Sequence, residues 1–161
     1  MKTMICCSTL NQTVNVIPAL MMHSDHLVIC STVHAKKSGW TDNLLSFLEK
    51  RKFSYNETDI PTETEKNPVA LSDTLSEIVR KELQKGNQVQ LNIGGGQKLF
   101  TLAFQRVFSE MSSADIDIVY SEANEKKLYR INNMYEIATE KISVDLSLEE
   151  ILSLYGYKTT S

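Results

Sequence analysis

Short apolar runs alternate along the chain with longer segments whose apolar residues recur at helical spacing. Met4-Ile5-Cys6-Cys7, His26-Leu27-Val28-Ile29-Cys30-Ser31-Thr32, Phe53 to Ile60 and Gln88 to Ile93 read as strands, with Pro61 ending the third. A polar loop, Ser8 to Val14, follows the first strand, and Asn15 is placed to cap a short helix with Pro18 in its first turn. Leu44, Leu45, Phe47 and Leu48 mark a second helix. Leu71, Leu75, Ile78, Val79 and Leu83 mark a longer one that stops at Gly86. Phe100, Phe104, Val107, Phe108 and Met111 form one apolar stripe at helical period.

This alternation predicts an α/β fold: a mostly parallel central sheet covered on both faces, with right-handed crossovers. Ile116 to Tyr120 and Lys127 to Ile131, joined by turn-like Glu122-Ala123-Asn124-Glu125, predict a late antiparallel hairpin at the sheet edge, with Tyr120 and Tyr129 paired across it. The capping box Ser147-Leu148-Glu149-Glu150 opens a short C-terminal helix through Ile151, Leu152 and Leu154, with Gly156 past its end. Residues 1–145 are expected to form one domain. Residues 146–161 are expected to be that helix and a tail, in which Lys158-Thr159-Thr160-Ser161 reads as a frayed terminus or a linker.

With 161 residues the chain is large enough for one domain with a genuine core. A net charge of -3 argues against a broad basic surface for a long nucleic acid, but leaves room for a small phosphorylated ligand. Cys6, Cys7 and Cys30 lie in apolar strands and read as reduced core thiols. No apolar run reaches the length needed to span a bilayer, and the first residues read straight into a strand, so the expected compartment is the cytoplasm.

The candidate chemistry lies in Asn92-Ile93-Gly94-Gly95-Gly96-Gln97-Lys98, where half of the chain's six glycines separate a strand from a helix. Glycine lets another group approach the backbone closely, and a helix starting at such a turn offers unpaired N–H groups and the positive end of its dipole. That combination suits a phosphate. Lys98 in the helix's first turn opposes the dipole unless an anion is bound nearby. The motif is neither a P-loop nor the G-x-G-x-x-G dinucleotide fingerprint. Ligands of parallel sheets bind beyond the strands' C-terminal ends, where topology gathers the loop Ser8 to Thr13, Ser31-Thr32 and the glycine turn.

On these residues the chain resembles a CARF domain, the CRISPR-associated Rossmann-fold sensor of cyclic oligoadenylates. Asn92 to Lys98 is similar to the family pattern Asn-x-Thr-Gly-Gly-Thr-Lys, and Ser8-Thr9-Leu10-Asn11-Gln12-Thr13 resembles the family's other ligand loop. Gly94 and Gln97 stand where the family often carries threonines. The resemblance implies a Rossmann-like three-layer sandwich. It also implies a ligand site of Ser8, Thr9, Asn11, Gln12, Asn92, Gly94, Gly95, Gly96, Gln97 and Lys98, with no catalytic residue, metal or cofactor. It further implies a homodimer whose twofold axis passes through a bound ring, cyclic tetra-adenylate above all, and a covalently linked effector in a type III CRISPR system.

Two other functions compete. A ring nuclease would cleave the bound ring through its own ribose 2′-hydroxyl, the protein supplying only orientation and charge stabilisation. An unrelated nucleotide or sugar-phosphate binder could use the same sheet. His23, His26 and His34 read as surface or packing residues rather than metal ligands, and the acidic stretch Glu57 to Glu65 as a solvated loop. Asp145, Glu149 and Glu150 suit helix capping and dipole compensation. Trp40, between Gly39 and Thr41-Asp42, reads as packing at a helix start rather than a base-stacking platform.

Overall fold

Strand β1 (Lys2–Cys7) has successive side chains buried on opposite faces, and this alternation assigns the helices to two layers in the computed structural model, which describes residues 1–111, 113 and 115–158. Around it lie β2 (His26–Thr32), β3 (Ser54–Ile60), β4 (Gln88–Asn92), β5 (Ile116–Glu122), β6 (Lys127–Ile131) and β7 (Ile137–Lys141), in the sheet order β3-β2-β1-β4-β5-β6-β7. The first five strands pair in parallel, and β6 and β7 add antiparallel. Met4 and Cys6 face a core with Val16, Ala19, Leu44, Phe47 and Leu48 of helices α1 (Thr13–Met21) and α3 (Trp40–Lys50). Ile5 and Cys7 face the other core, filled by α5 (Pro68–Gln84) and α6 (Lys98–Met111). Burial on both faces explains why the inner strands read as near-continuous apolar runs. The fold is the α/β, Rossmann-like three-layer arrangement.

Several local expectations are corrected. Asn15 does not cap α1: the helix begins at Thr13, Gln12 is its N-cap, and Asn15 is a fully buried helical residue, so Pro18 sits inside the helix. Two short helices, α2 (Val33–Lys37) and α4 (Thr62–Glu65), are additional. The acidic stretch Glu57 to Glu65 is therefore the end of β3 followed by a helical turn, not a loop. The hairpin is present with the expected Tyr120–Tyr129 stack, ring centroids 4.8 Å apart, but β7 rather than β6 is the sheet edge.

Helix α7 (Leu148–Leu154) has the expected capping box, and Arg51 at the end of α3 grips Glu150 through two nitrogens at 2.8 and 2.9 Å. Residues Thr159, Thr160 and Ser161 of the expected tail lie outside the described residues. Cys6, Cys7 and Cys30 are free and buried; burial, reinforced by neighbouring thiols, pushes Cys6 and Cys7 well up, and burial alone raises Cys30 to about 12. Such thiols are poor nucleophiles. No helix among the described residues is long and apolar enough to cross a membrane.

Candidate anion-binding site

The glycine turn lies where β1 and β4, neighbours in the sheet, send their connections to opposite faces through α1 and α6. At that point the backbone must pass against the end of β1. A Cβ on Gly95 would stand 2.8 Å from the Cys7 carbonyl oxygen and 3.4 Å from Thr9 Cγ2. Gly96 has φ +85°, and a Cβ there would stand 2.9 Å from Cys7 Cβ. Both glycines are therefore required by close approach, and the same approach brings the loop after β1 beside the glycine turn.

Side chains lock the two loops together. Asn15 Nδ2 donates to the Cys7 carbonyl at 2.7 Å and to Gln12 Oε1 at 2.9 Å. Asn92 Nδ2 donates to the Val14 carbonyl at 2.9 Å and to Asn15 Oδ1 at 3.3 Å, while its Oδ1 accepts from Gly94 N–H at 2.9 Å. A second branch runs from Gln12 Nε2 to Ser8 Oγ at 2.9 Å and to the Trp40 carbonyl at 2.8 Å. Thr41 Oγ1 joins Ser8 Oγ at 2.8 Å and Ser31 Oγ at 3.0 Å. A buried network with all its members paired fixes geometry, because breaking one member strands its partners.

The predicted site residues accordingly divide in two. Ser8, Gln12 and Asn92 are buried, and their side-chain hydrogen bonds go to the protein, where they brace the two loops. Thr9, Asn11, Gly94, Gly96, Gln97 and Lys98 reach the surface, while Gly95 lies beneath them. The Thr9 hydroxyl, the Asn11 amide nitrogen, the Gln97 side chain and Lys98 Nζ have no partner among the described residues. Asn11 Oδ1 is occupied, accepting from Thr13 N–H at 3.1 Å.

The Gln97 carbonyl accepts from Phe100 and Thr101 N–H, making Gln97 the N-cap of α6. Four successive N–H groups, Gly95, Gly96, Gln97 and Lys98, have no hydrogen-bond partner among the described residues. Unpaired amides, the helix dipole and an unpaired lysine are together chemically suited to cradle an anion. Asn15, Trp40 and Thr41 belong to the site's framework but were not assigned to it from sequence. The available signal was a polar residue on the apolar face of α1 and a hydroxyl at the start of α3.

A family model described as the Card1 CARF domain matches residues 9–151. Among solved structures, Can2 from Sulfobacillus thermosulfidooxidans in complex with cyclic tetra-adenylate superposes with a TM-score of 0.78 at 18% identity, covering 97% of this chain and 41% of that one. Protein VC1899 from Vibrio cholerae gives 0.81 at 18% identity over 96% and 39%. A type III CRISPR defence DNA nuclease activated by cyclic oligoadenylate gives 0.70 at 12% identity over 94% and 23%. At these identities the likeness shows the fold. The chain spans about two fifths of the length of the first two. No curated protein matches the sequence.

Proposed function

Given that the chain belongs to the Card1 CARF domain family, its residues 9–151 matching that model, we propose that it is a sensor domain that binds a cyclic oligoadenylate at the glycine turn and regulates an effector in a longer protein. The observation that carries the reading is the run of unpaired amides from Gly95 to Lys98 at the C-terminal edge of the parallel strands, with Lys98 unpaired beside them. Phosphates supply the negative charge that this geometry leaves unanswered. The partial positive charge is local, which suits a small ligand in a chain of net charge -3.

A homodimer completes the proposal. An isologous pair presents each loop twice, and a ring of identical nucleotides can share the twofold axis. Cyclic tetra-adenylate would then meet two sets of amides and two copies of Lys98. Leu10, Val33 and Leu102, 54%, 41% and 59% exposed, lie on the loop after β1, at the start of α2 and one turn along α6 from Lys98. They are apolar residues near the same edge that a second copy would cover. Binding would act by favouring one arrangement of the two protomers.

The test is calorimetric titration with cyclic tri-, tetra- and hexa-adenylate, followed by chromatography of the recovered ligand. Saturation at one intact ring per two chains supports the sensor, and a linearised product moves ring cleavage ahead of it. Absence of binding to all three rings overturns the proposal.

A further inference from the structure

The branch of the network that leaves the glycine turn ends on an aromatic pair. Trp40 opens α3, its carbonyl accepts from Gln12 Nε2 at 2.8 Å, and its indole meets the His34 ring edge-on, with centroids 4.9 Å apart at 90°. Thr41 binds Ser8 at 2.8 Å. The two residues at the start of α3 therefore hold Ser8 and Gln12 of the loop after β1. His34 lies in α2, which follows the C-terminal end of β2 directly. The pair thus stands at the same edge of the sheet as the anion cradle, on the other side of the Ser8–Gln12 loop.

From this placement we infer that Trp40, oriented by His34, is the stacking platform for a nucleobase of the ligand. The inference rests on the proposed sensor function and revises the expectation that Trp40 serves packing alone. Trp40 is only half-buried and His34 is exposed, although a tryptophan engaged purely in packing would gain from deeper burial. The indole Nε1 has no partner among the described residues.

Two alternative base readers, Ser8 and Gln12, fall away on hydrogen-bonding grounds. Ser8 and Gln12 spend their hydrogen bonds on the protein, whereas the half-buried indole of Trp40 offers an aromatic surface of base size. Aromatic stacking is a strong and general way to hold an unpaired base, because every base has a π-face. The division of labour is then that the glycine turn and Lys98 take phosphate while Trp40 takes a base. The Gln12 contact sets the spacing between the two.

The chain has one tryptophan, so its emission reports on this position alone. Cyclic tetra-adenylate titrated into the protein is expected to quench Trp40 emission, with a midpoint matching that from calorimetry. Trp40→Leu should weaken binding by roughly tenfold or more, as loss of one stacked base implies, while Trp40→Phe recovers most of the affinity. His34→Ala should weaken binding less and reduce the quenching. Wild-type binding by calorimetry with unchanged emission, together with full affinity in Trp40→Leu, would overturn the inference and leave the sensor standing. Absence of wild-type binding would overturn both. If Trp40→Leu melts early, the emission titration of the wild type and the affinity of Trp40→Phe still decide.

Discussion

Asn92 and Asn15, 77 residues apart in the chain, meet side chain to side chain at 3.3 Å, Asn92 donating and Asn15 accepting. This contact couples the two loops of the site, because Asn92 also orients Gly94 while Asn15 also holds the end of β1. Asn92→Ala would leave Asn15 Oδ1 without this partner in a buried setting, and the Gly94 N–H and the Val14 carbonyl without theirs in a partly buried one. The expected cost is about 1–3 kcal/mol of stability, by the usual penalty for stranded buried polar groups. Urea unfolding measures it. Ring binding should weaken as well, since the glycine turn loses its orientation. A variant with unchanged stability would show that water replaces the amide.

The same pair shows where sequence reading stops. The polar character of Asn15 and Asn92 is visible in the chain, and so is the glycine turn between a strand and a helix. Local pattern places Asn15 at a helix start because asparagine favours caps. Tertiary packing overrides that preference, since the Cys7 carbonyl and the Asn92 amide offer buried partners that only the folded sheet brings near. That Gln12 and Asn92 spend their amides on protein partners is likewise invisible in the sequence, because a saturated buried amide and a free one have the same letter. Strand β7 escaped for another reason: all five of its residues are exposed, so no alternation marks it. The capping box at Ser147 and the Tyr120–Tyr129 pair were legible because each depends on near neighbours in sequence.

Gly95→Ala discriminates between a turn that merely permits glycine and one that requires it. The added Cβ would sit 2.8 Å from the Cys7 carbonyl oxygen, a backbone atom that cannot rotate away. Either β1 or the glycine turn must shift, at an expected cost of about 1–3 kcal/mol, as for other overpacked sites. Thermal unfolding should show a lowered midpoint, and calorimetry a loss of ring binding. Gly86→Ala is the useful contrast. Its φ is +81° with nothing within 4 Å of the new Cβ, so stability falls through backbone strain while binding survives.

Lys98→Ala should do the opposite of Gly95→Ala. Lys98 is exposed, has no partner among the described residues, and stands at the first position of α6, where its charge opposes the helix dipole. Its removal should leave the melting midpoint of the free protein unchanged or slightly raised. Ring affinity should fall roughly tenfold or more, as for loss of a charged hydrogen bond to phosphate. The salt dependence of binding should also become shallower. A destabilised free protein would make Lys98 structural and remove it from the site.

The C-terminal helix is held by an acid-sensitive contact. Arg51, hydrogen-bonded to Glu150, holds that carboxyl down to about 2 against the opposing effect of burial, with help from the Ser147 N–H of the capping box. The folded pKa lies below the ordinary value of 4.5, so the contribution to stability is fully present above 4.5 and is lost as pH falls toward about 2. Arg51 and Glu150 are 32% and 30% exposed, so solvent screening reduces the pair to about 1 kcal/mol. Glu150→Gln should therefore melt earlier than wild type near neutral pH, and the gap should close progressively in acid below the ordinary carboxylate pKa. Because Arg51 also donates to the Asp145 carbonyl at 2.7 Å, Arg51→Ala should cost more than Glu150→Gln. The double variant then isolates the charge pair. A gap between Glu150→Gln and wild type that persists undiminished down to about pH 2 would assign the effect to packing of α7 on α3 rather than to charge.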